Sequence, residues 1–217
     1  MPTRYNIHTH RPPEHSDDIL SIHSLYEQFE YMQDGRQYSI GLHPAHLQDH
    51  EMHFQTVQQL AGKDEVVAIG ECGLDKLVST SMSKQTAVFI QHIQLANTLG
   101  KPLIIHCVQA HEELLQVFRN HPAKVPVIIH GFNKRNSIAE KFLAQGFYLS
   151  FGVAILNIVS PATDVLKHIK NDRFFLETDD ADVSIDTVYS RASEIRDTPL
   201  ESLILQLEHN YKEVFNP

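Results

Sequence analysis

Short apolar runs alternate with longer stretches of mixed polarity along the whole chain. Eight runs read as strands: residues 5–8, 19–23, 38–43, 66–71, 103–106, 125–130, 147–151 and 174–177. Several are continuously apolar rather than alternating, as expected of strands buried on both faces of a parallel sheet. Between them the spacing turns helical. Residues 83–99 place Ala87, Ile90, Ile93, Leu95 and Ala96 among polar positions and stop at Gly100-Lys101-Pro102. Residues 112–120 behave similarly, as do 137–145, closed by Gly146. Residues 159–170 predict another helix, in which Pro161 fits only the first turn. Two more are expected over 186–196 and 199–215. Residues 24–37 leave room only for an abbreviated helix, or none. Alternating βα units without a linker, repeat or low-complexity segment predict one domain over 1–217. The expected fold is α/β, a (β/α)8 TIM barrel slightly abbreviated in its early units.

Composition narrows this picture without changing it. A chain of 217 residues, 42% hydrophobic and 21% charged, is ordinary for a soluble globular domain. No stretch approaches the ~20 apolar residues that span a bilayer, so no membrane association is expected. The opening Met1-Pro2-Thr3-Arg4-Tyr5 has no apolar signal core. Cys72 and Cys107 suit a reducing cytoplasm better than a disulfide framework. A net charge of −9 argues against a broad electropositive face for phosphate steering. It leaves a nucleic-acid substrate open, because metal ions in a cleft supply positive charge locally.

The 15 histidines matter through their positions. Six apolar runs end on metal-binding side chains: Asn6-Ile7-His8-Thr9-His10, Gly41-Leu42-His43-Pro44, Gly70-Glu71-Cys72-Gly73-Leu74-Asp75, Ile105-His106, Ile129-His130 and Leu176-Glu177-Thr178-Asp179. His8 and His10, two apart on an extended strand, face one side and can share an ion; a hydrogen-bonded pair is the alternative. Glu71 ends an apolar run, where a carboxylate is costly unless paired or metal-bound. Gly70 and Gly73 favour a tight turn there, and Asp75 fits a supporting place that holds a histidine or the loop. His106 and His130 finish successive strands, and barrel active sites gather at such ends. Either could instead be a satisfied core histidine, and Asp179 could cap the next segment. Four histidines and two carboxylates suffice for two divalent ions, and the mix suits Zn²⁺, Mn²⁺ or Fe²⁺. Such a site activates water. No Gly-rich phosphate loop, Cys-based zinc site or nucleophile setting at Ser150 or Ser160 competes.

With those motifs in order, the chain resembles the TatD family of metal-dependent deoxyribonucleases, within the amidohydrolase-like superfamily. The likeness extends from the opening His-x-His through Pro102, His106-Cys107 and His130-Gly131-Phe132 to a tail with Val188-Tyr189 and Asn210. It implies a (β/α)8 barrel and hydrolysis supported by two divalent ions (Mg²⁺, Mn²⁺ or Zn²⁺), commonly of DNA phosphodiesters from a 3′ end. By position His8, His10, Glu71 and Asp179 would hold one ion, with Glu71 bridging to a second on His106 and His130. Asp179 would also orient or deprotonate the attacking water, and His43 would contact substrate. Four departures stand out. Asn6 replaces a usual Asp, and Val108 a usual Arg. Lys76 stands where an aromatic is common and could restore positive charge toward substrate. The segment Asp180-Ala181-Asp182-Val183-Ser184 lacks a Pro-rich, Arg-containing loop. The leading expectation is a DNA 3′–5′ exonuclease. The alternatives are a hydrolase of a small phosphoester or acyl ester, such as misacylated tRNA, and a weakly catalytic metal-binding interaction protein.

Overall fold

The computed structural model describes residues 2–11, 18–27 and 29–215. One eight-stranded sheet runs in chain order: β1 (Arg4–Thr9), β2 (Ile19–Leu25), β3 (Gln37–Ile40), β4 (Val66–Asp75), β5 (Leu103–Val108), β6 (Val127–Ile129), β7 (Tyr148–Phe151) and β8 (Phe174–Leu176). Seven α-helices are interspersed among the described residues: α1 (His50–Leu60), α2 (Met82–Leu99), α3 (His111–Asn120), α4 (Asn136–Leu143), α5 (Pro161–His168), α6 (Ile185–Arg196) and α7 (Leu200–Phe215). This is the α/β class and the strand order of a (β/α)8 barrel. Between β2 and β3 the described residues hold only a 3-10 turn, Phe29–Tyr31, in line with the expected early abbreviation. No helix among the described residues is long and apolar enough to cross a membrane. Backbone contacts group the chain into two compact units, Ser24–Ile128 and Met1–His23 with Ile129–Pro217.

In the unit formed by both ends of the chain, β1 pairs in parallel with β2, and β7 with β8. β1 also meets the chain just after β8. The Asp179 N–H donates to the His8 carbonyl at 3.0 Å, and the His10 N–H donates to the Asp179 carbonyl at 3.0 Å. Helices grip this edge through single buried side chains. The Tyr189 hydroxyl of α6 accepts from the Tyr5 N–H (3.0 Å) and donates to the Tyr5 carbonyl (3.2 Å). Asn210 of α7 donates to the carbonyls of Asn171 (2.7 Å) and Phe174 (3.1 Å). Pro161 occupies the first turn of α5, where its missing N–H breaks no helical bond, behind the capping hydroxyl of Ser160.

In the unit Ser24–Ile128, β4 pairs in parallel with β3 and β5. The β4–β5 register shifts between Ile69 and Cys72, a bulge that straddles Gly70 and Glu71. Helix α2 starts on the Ser81 cap and ends at Gly100 in the left-handed conformation (φ 68°), where the punctuation predicted it. Inside it His92 is buried. The Leu42 N–H donates to His92 Nε2 at 3.0 Å, so the ring proton sits on Nδ1, 2.8 Å from the Val88 carbonyl it bonds. The one helix absent from the sequence reading is α1. It buries only Phe54 and Val57, so its hydrophobic signal is two side chains wide.

Candidate metal centre

Strand geometry delivers the predicted ligands in two ways. His8, Glu71 and His106 lie within β1, β4 and β5, whereas His43, His130 and Asp179 lie just past the ends of β3, β6 and β8. The sequence reading had extended β3 and β6 onto His43 and His130, and had β8 end at Glu177, one residue past its observed end.

One cluster lies in the unit that carries both chain ends. Ligand atoms of His8, His130 and Asp179 all fall within 4.8 Å of one another. Ligands across a single ion are ~4 Å apart, so one ion fits this group with slight contraction. His8 and His10 each bring Nε2 to 3.6 Å from Asp179 Oδ1. The His8 ring is 4.2 Å from that of His130 and 5.0 Å from that of His10, centroid to centroid. His130 thus lies beside His8 within this unit. Asp179 adopts φ 55°, a left-handed backbone uncommon for a non-glycine residue. The two main-chain bonds to β1 hold it there.

Two side chains that the sequence reading had not assigned to the site support this cluster. Glu177 is fully buried, with Oε1 accepting from the Gly131 N–H at 2.6 Å and standing 3.5 Å from His130 Nδ1. The argument that singled out Glu71, a carboxylate after an apolar run, applies equally to Glu177. Asn6 uses both halves of its amide: Nδ2 donates to Thr178 Oγ1 at 2.8 Å, and Oδ1 accepts from the Thr178 N–H at 3.1 Å. The Thr178 hydroxyl donates its own proton to Thr9 Oγ1 at 3.3 Å, so it needs a donor at position 6, which Asn supplies and an ionised Asp could not.

The second cluster belongs to the other unit. His106 spans two carboxylates, with Nδ1 2.6 Å from Glu71 Oε1 and Nε2 3.1 Å from Asp75 Oδ2. A neutral ring that donates from Nε2 to Asp75 leaves Nδ1 to ligate an ion beside Glu71. Asp75 is itself fixed. Its Oδ1 accepts from the Leu77 N–H (2.7 Å), and Gln85 bonds its backbone N–H (2.8 Å) and carbonyl (2.9 Å). His43 joins the group, Nε2 lying 3.3 Å from His106 Nδ1 and 3.5 Å from Glu71 Oε1. The Ala45 N–H donates to His43 Nδ1 at 3.1 Å, which puts the proton of the neutral ring on Nε2. That tautomer suits donation to an oxygen better than ligation of a cation.

Lys76 is paired with a carboxylate, its Nζ 2.6 Å from Glu113 Oε1, and this partner holds the Glu113 carboxyl below its usual range. Cys72 and Cys107 are both thiols. Burial, and after it the neighbouring Glu71 charge, pushes the Cys72 thiol well up, which keeps it protonated and out of ligation. Imidazole nitrogens with carboxylate oxygens are a donor set for Zn²⁺, Mn²⁺ or Fe²⁺, so both clusters fit divalent ions chemically.

Comparison with known proteins agrees with this chemistry. The family model described as TatD related DNase matches residues 14–216. An Escherichia coli K12 protein named as the uncharacterized metal-dependent hydrolase YcfH is 32% identical over 145 residues, 65% of this chain and 54% of its own length. The 3′-5′ ssDNA/RNA exonuclease TatD of Edwardsiella piscicida is 32% identical over 145 residues, 64% of this chain and 55% of its own. The chain thus spans about half the length of these curated relatives. The crystal structure of the Escherichia coli TatD homologue YjjV superposes with a TM-score of 0.87 at 22% identity, over 99% of this chain and 98% of that one. A TatD family hydrolase structure from Entamoeba histolytica gives 0.83 at 16% identity, over 99% and 98%. At these identities the two structures speak for the fold.

Proposed function

Because this chain belongs to the TatD-related DNase family, we propose that it is a metal-dependent hydrolase that cleaves phosphodiester bonds of single-stranded DNA from a 3′ end. The observation that carries the reading is the pair of His/carboxylate clusters, His8–His130–Asp179 and His43–Glu71–His106. In this reading His8, His10, His130 and Asp179 hold one divalent ion, and Glu71 and His106 hold another. Such ions supply water that deprotonates near pH 7 and positive charge against phosphoryl oxygens. Asp179, partly exposed at the end of its cluster, takes the proton of the attacking water. His43, protonated on Nε2, donates to a phosphoryl oxygen. Asp75 and Glu177 keep His106 and His130 oriented. The named activity of the Edwardsiella piscicida relative supports the substrate class, and the thiols and ordinary composition agree with a cytoplasmic place of work.

The test joins metal analysis to cleavage of 3′- and 5′-end-labelled oligonucleotides with Mg²⁺, Mn²⁺ or Zn²⁺. Glu71→Ala and Asp179→Asn should each lower turnover by about 10²–10⁴-fold, the range of a lost acid–base or ligand role. Equal rates in wild type and both variants sink the assignment. A second reading keeps the ions and replaces the strand by a small phosphoester or an acyl ester. Rim cations favour it, because Lys76 is paired with Glu113 and Arg11 is bonded to Asp180 and Asp182. Faster turnover of such esters than of oligonucleotides would select it.

A further inference from the structure

Beside the His43–Glu71–His106 cluster stand two rings that the metal chemistry does not use. Tyr26 directly follows β2, and His46 lies in the turn after His43. The rings are stacked, with centroids 4.7 Å apart and planes 18° apart. That turn is held by the His46 N–H donating to the His43 carbonyl at 2.9 Å. The pair sits within one ring's reach of the cluster: His46 is 5.8 Å and Tyr26 6.4 Å from the His43 ring, which is 4.4 Å from the His106 ring. His46 is exposed and Tyr26 half-buried, so the stack stands at the surface rather than in the core.

We propose that Tyr26 and His46 form a stacking platform for a nucleobase of a single-stranded substrate, next to the phosphodiester held at the His43–Glu71–His106 cluster. The proposal rests on the phosphodiesterase reading above and names what recognises the strand. Two rings stacked at the surface gain less from burial than core rings do. The exposed His46 ring, backed by Tyr26, can take a third ring on the stack, and every base offers a π-face. In a duplex that face is covered by neighbouring bases, so the platform selects unpaired ends. The surrounding charge favours the same answer. The chain carries −9 overall, Val108 has no charge, and Lys76 is committed to Glu113. Stacking then supplies affinity that phosphate contacts do not, and binding should depend only weakly on salt.

The deciding experiment uses a nuclease-resistant phosphorothioate oligonucleotide with 2-aminopurine at its 3′ end, titrated with the metal-loaded protein. Stacking quenches the probe. Tyr26→Leu and His46→Leu should weaken binding roughly 5- to 100-fold, as expected for loss of one base–aromatic stack. Tyr26→Phe should bind like wild type and retain the quench. An oligomer abasic at its last residues should bind wild type and the Leu variants equally. On a cleavable strand the Leu variants should raise KM with kcat little changed. Equal affinity of wild type and both Leu variants for the base-bearing strand overturns the platform, whatever the cleavage rate. A variant-sensitive quench without any cleavage keeps the platform and overturns the nuclease reading. Cleavage whose KM and kcat are both unchanged in the Leu variants does the reverse.

Discussion

Glu177 carries a carboxylate into the interior with a backbone amide as its hydrogen-bonded partner and His130 close by. A buried carboxylate is costly and is tolerated where it orients something, and here that is an imidazole. Replacing it with Gln keeps an acceptor for the Gly131 N–H and removes the charge. Glu177→Gln should therefore fold, yet lower divalent-metal affinity by about 10–100-fold, read by titration calorimetry. Glu177→Leu should further lose about 1–3 kcal/mol of stability by orphaning that amide. Unchanged metal affinity in Glu177→Gln would remove Glu177 from the site. At this scale residue types were legible and residue duties less so. The sequence shows that His8, His106 and Asp179 have the donors for an ion, but not which nitrogen of His43 bears the proton. That depends on one amide, Ala45 N–H, contributed by the fold of the turn.

Strand β4 shows how an element is shaped to present a side chain. Its bulge at Gly70 and Glu71 turns the carboxylate toward His106, as bulges beside active sites often do. Gly73, opposite His106, lets the two backbones close in. At φ 147° a side chain is already strained, and a Cβ there would stand 2.0 Å from the His106 carbonyl oxygen. Gly73→Ala should cost roughly 3 kcal/mol or more and displace His106, because backbone on both sides leaves nothing to yield. A urea midpoint matching wild type would contradict this close approach. Gly70 and Gly73 were readable as a tight passage, but the bulge was not, since it exists only as a register between two strands. Helix α1 escaped notice for a different reason. With only Phe54 and Val57 buried, its helicity comes from where the chain must travel between β3 and β4.

Across the whole molecule, the acid response should include a histidine that folds neutral. His92 is pushed down to about 4 by burial, with its bond to the Val88 carbonyl a smaller opposing influence. Unfolded, it titrates near ~6.5, so between these values the unfolded chain binds more protons. Its contribution, about 3 kcal/mol, is intact above pH ~6.5, declines as pH falls, and is gone below the folded value. Unfolding midpoints from pH 7 to pH 4 should therefore fall more steeply for wild type than for His92→Gln. Parallel curves would contradict the buried neutral ring. The barrel itself was the most legible feature, because eight apolar runs alternating with helical spacing leave few other arrangements. What they could not reveal is how its two ends are joined.

That join has a consequence in time. Asp179 is bonded through its main chain to His8 and His10, some 170 residues earlier in the chain. Synthesis at ~5–20 residues per second separates their appearance by roughly 10–30 seconds. For that interval a growing chain displays the two opening imidazoles with neither the carboxylate nor the backbone bonds that position them. Under the proposed metal reading, the His8–His130–Asp179 cluster would therefore be completed only after β8 has emerged.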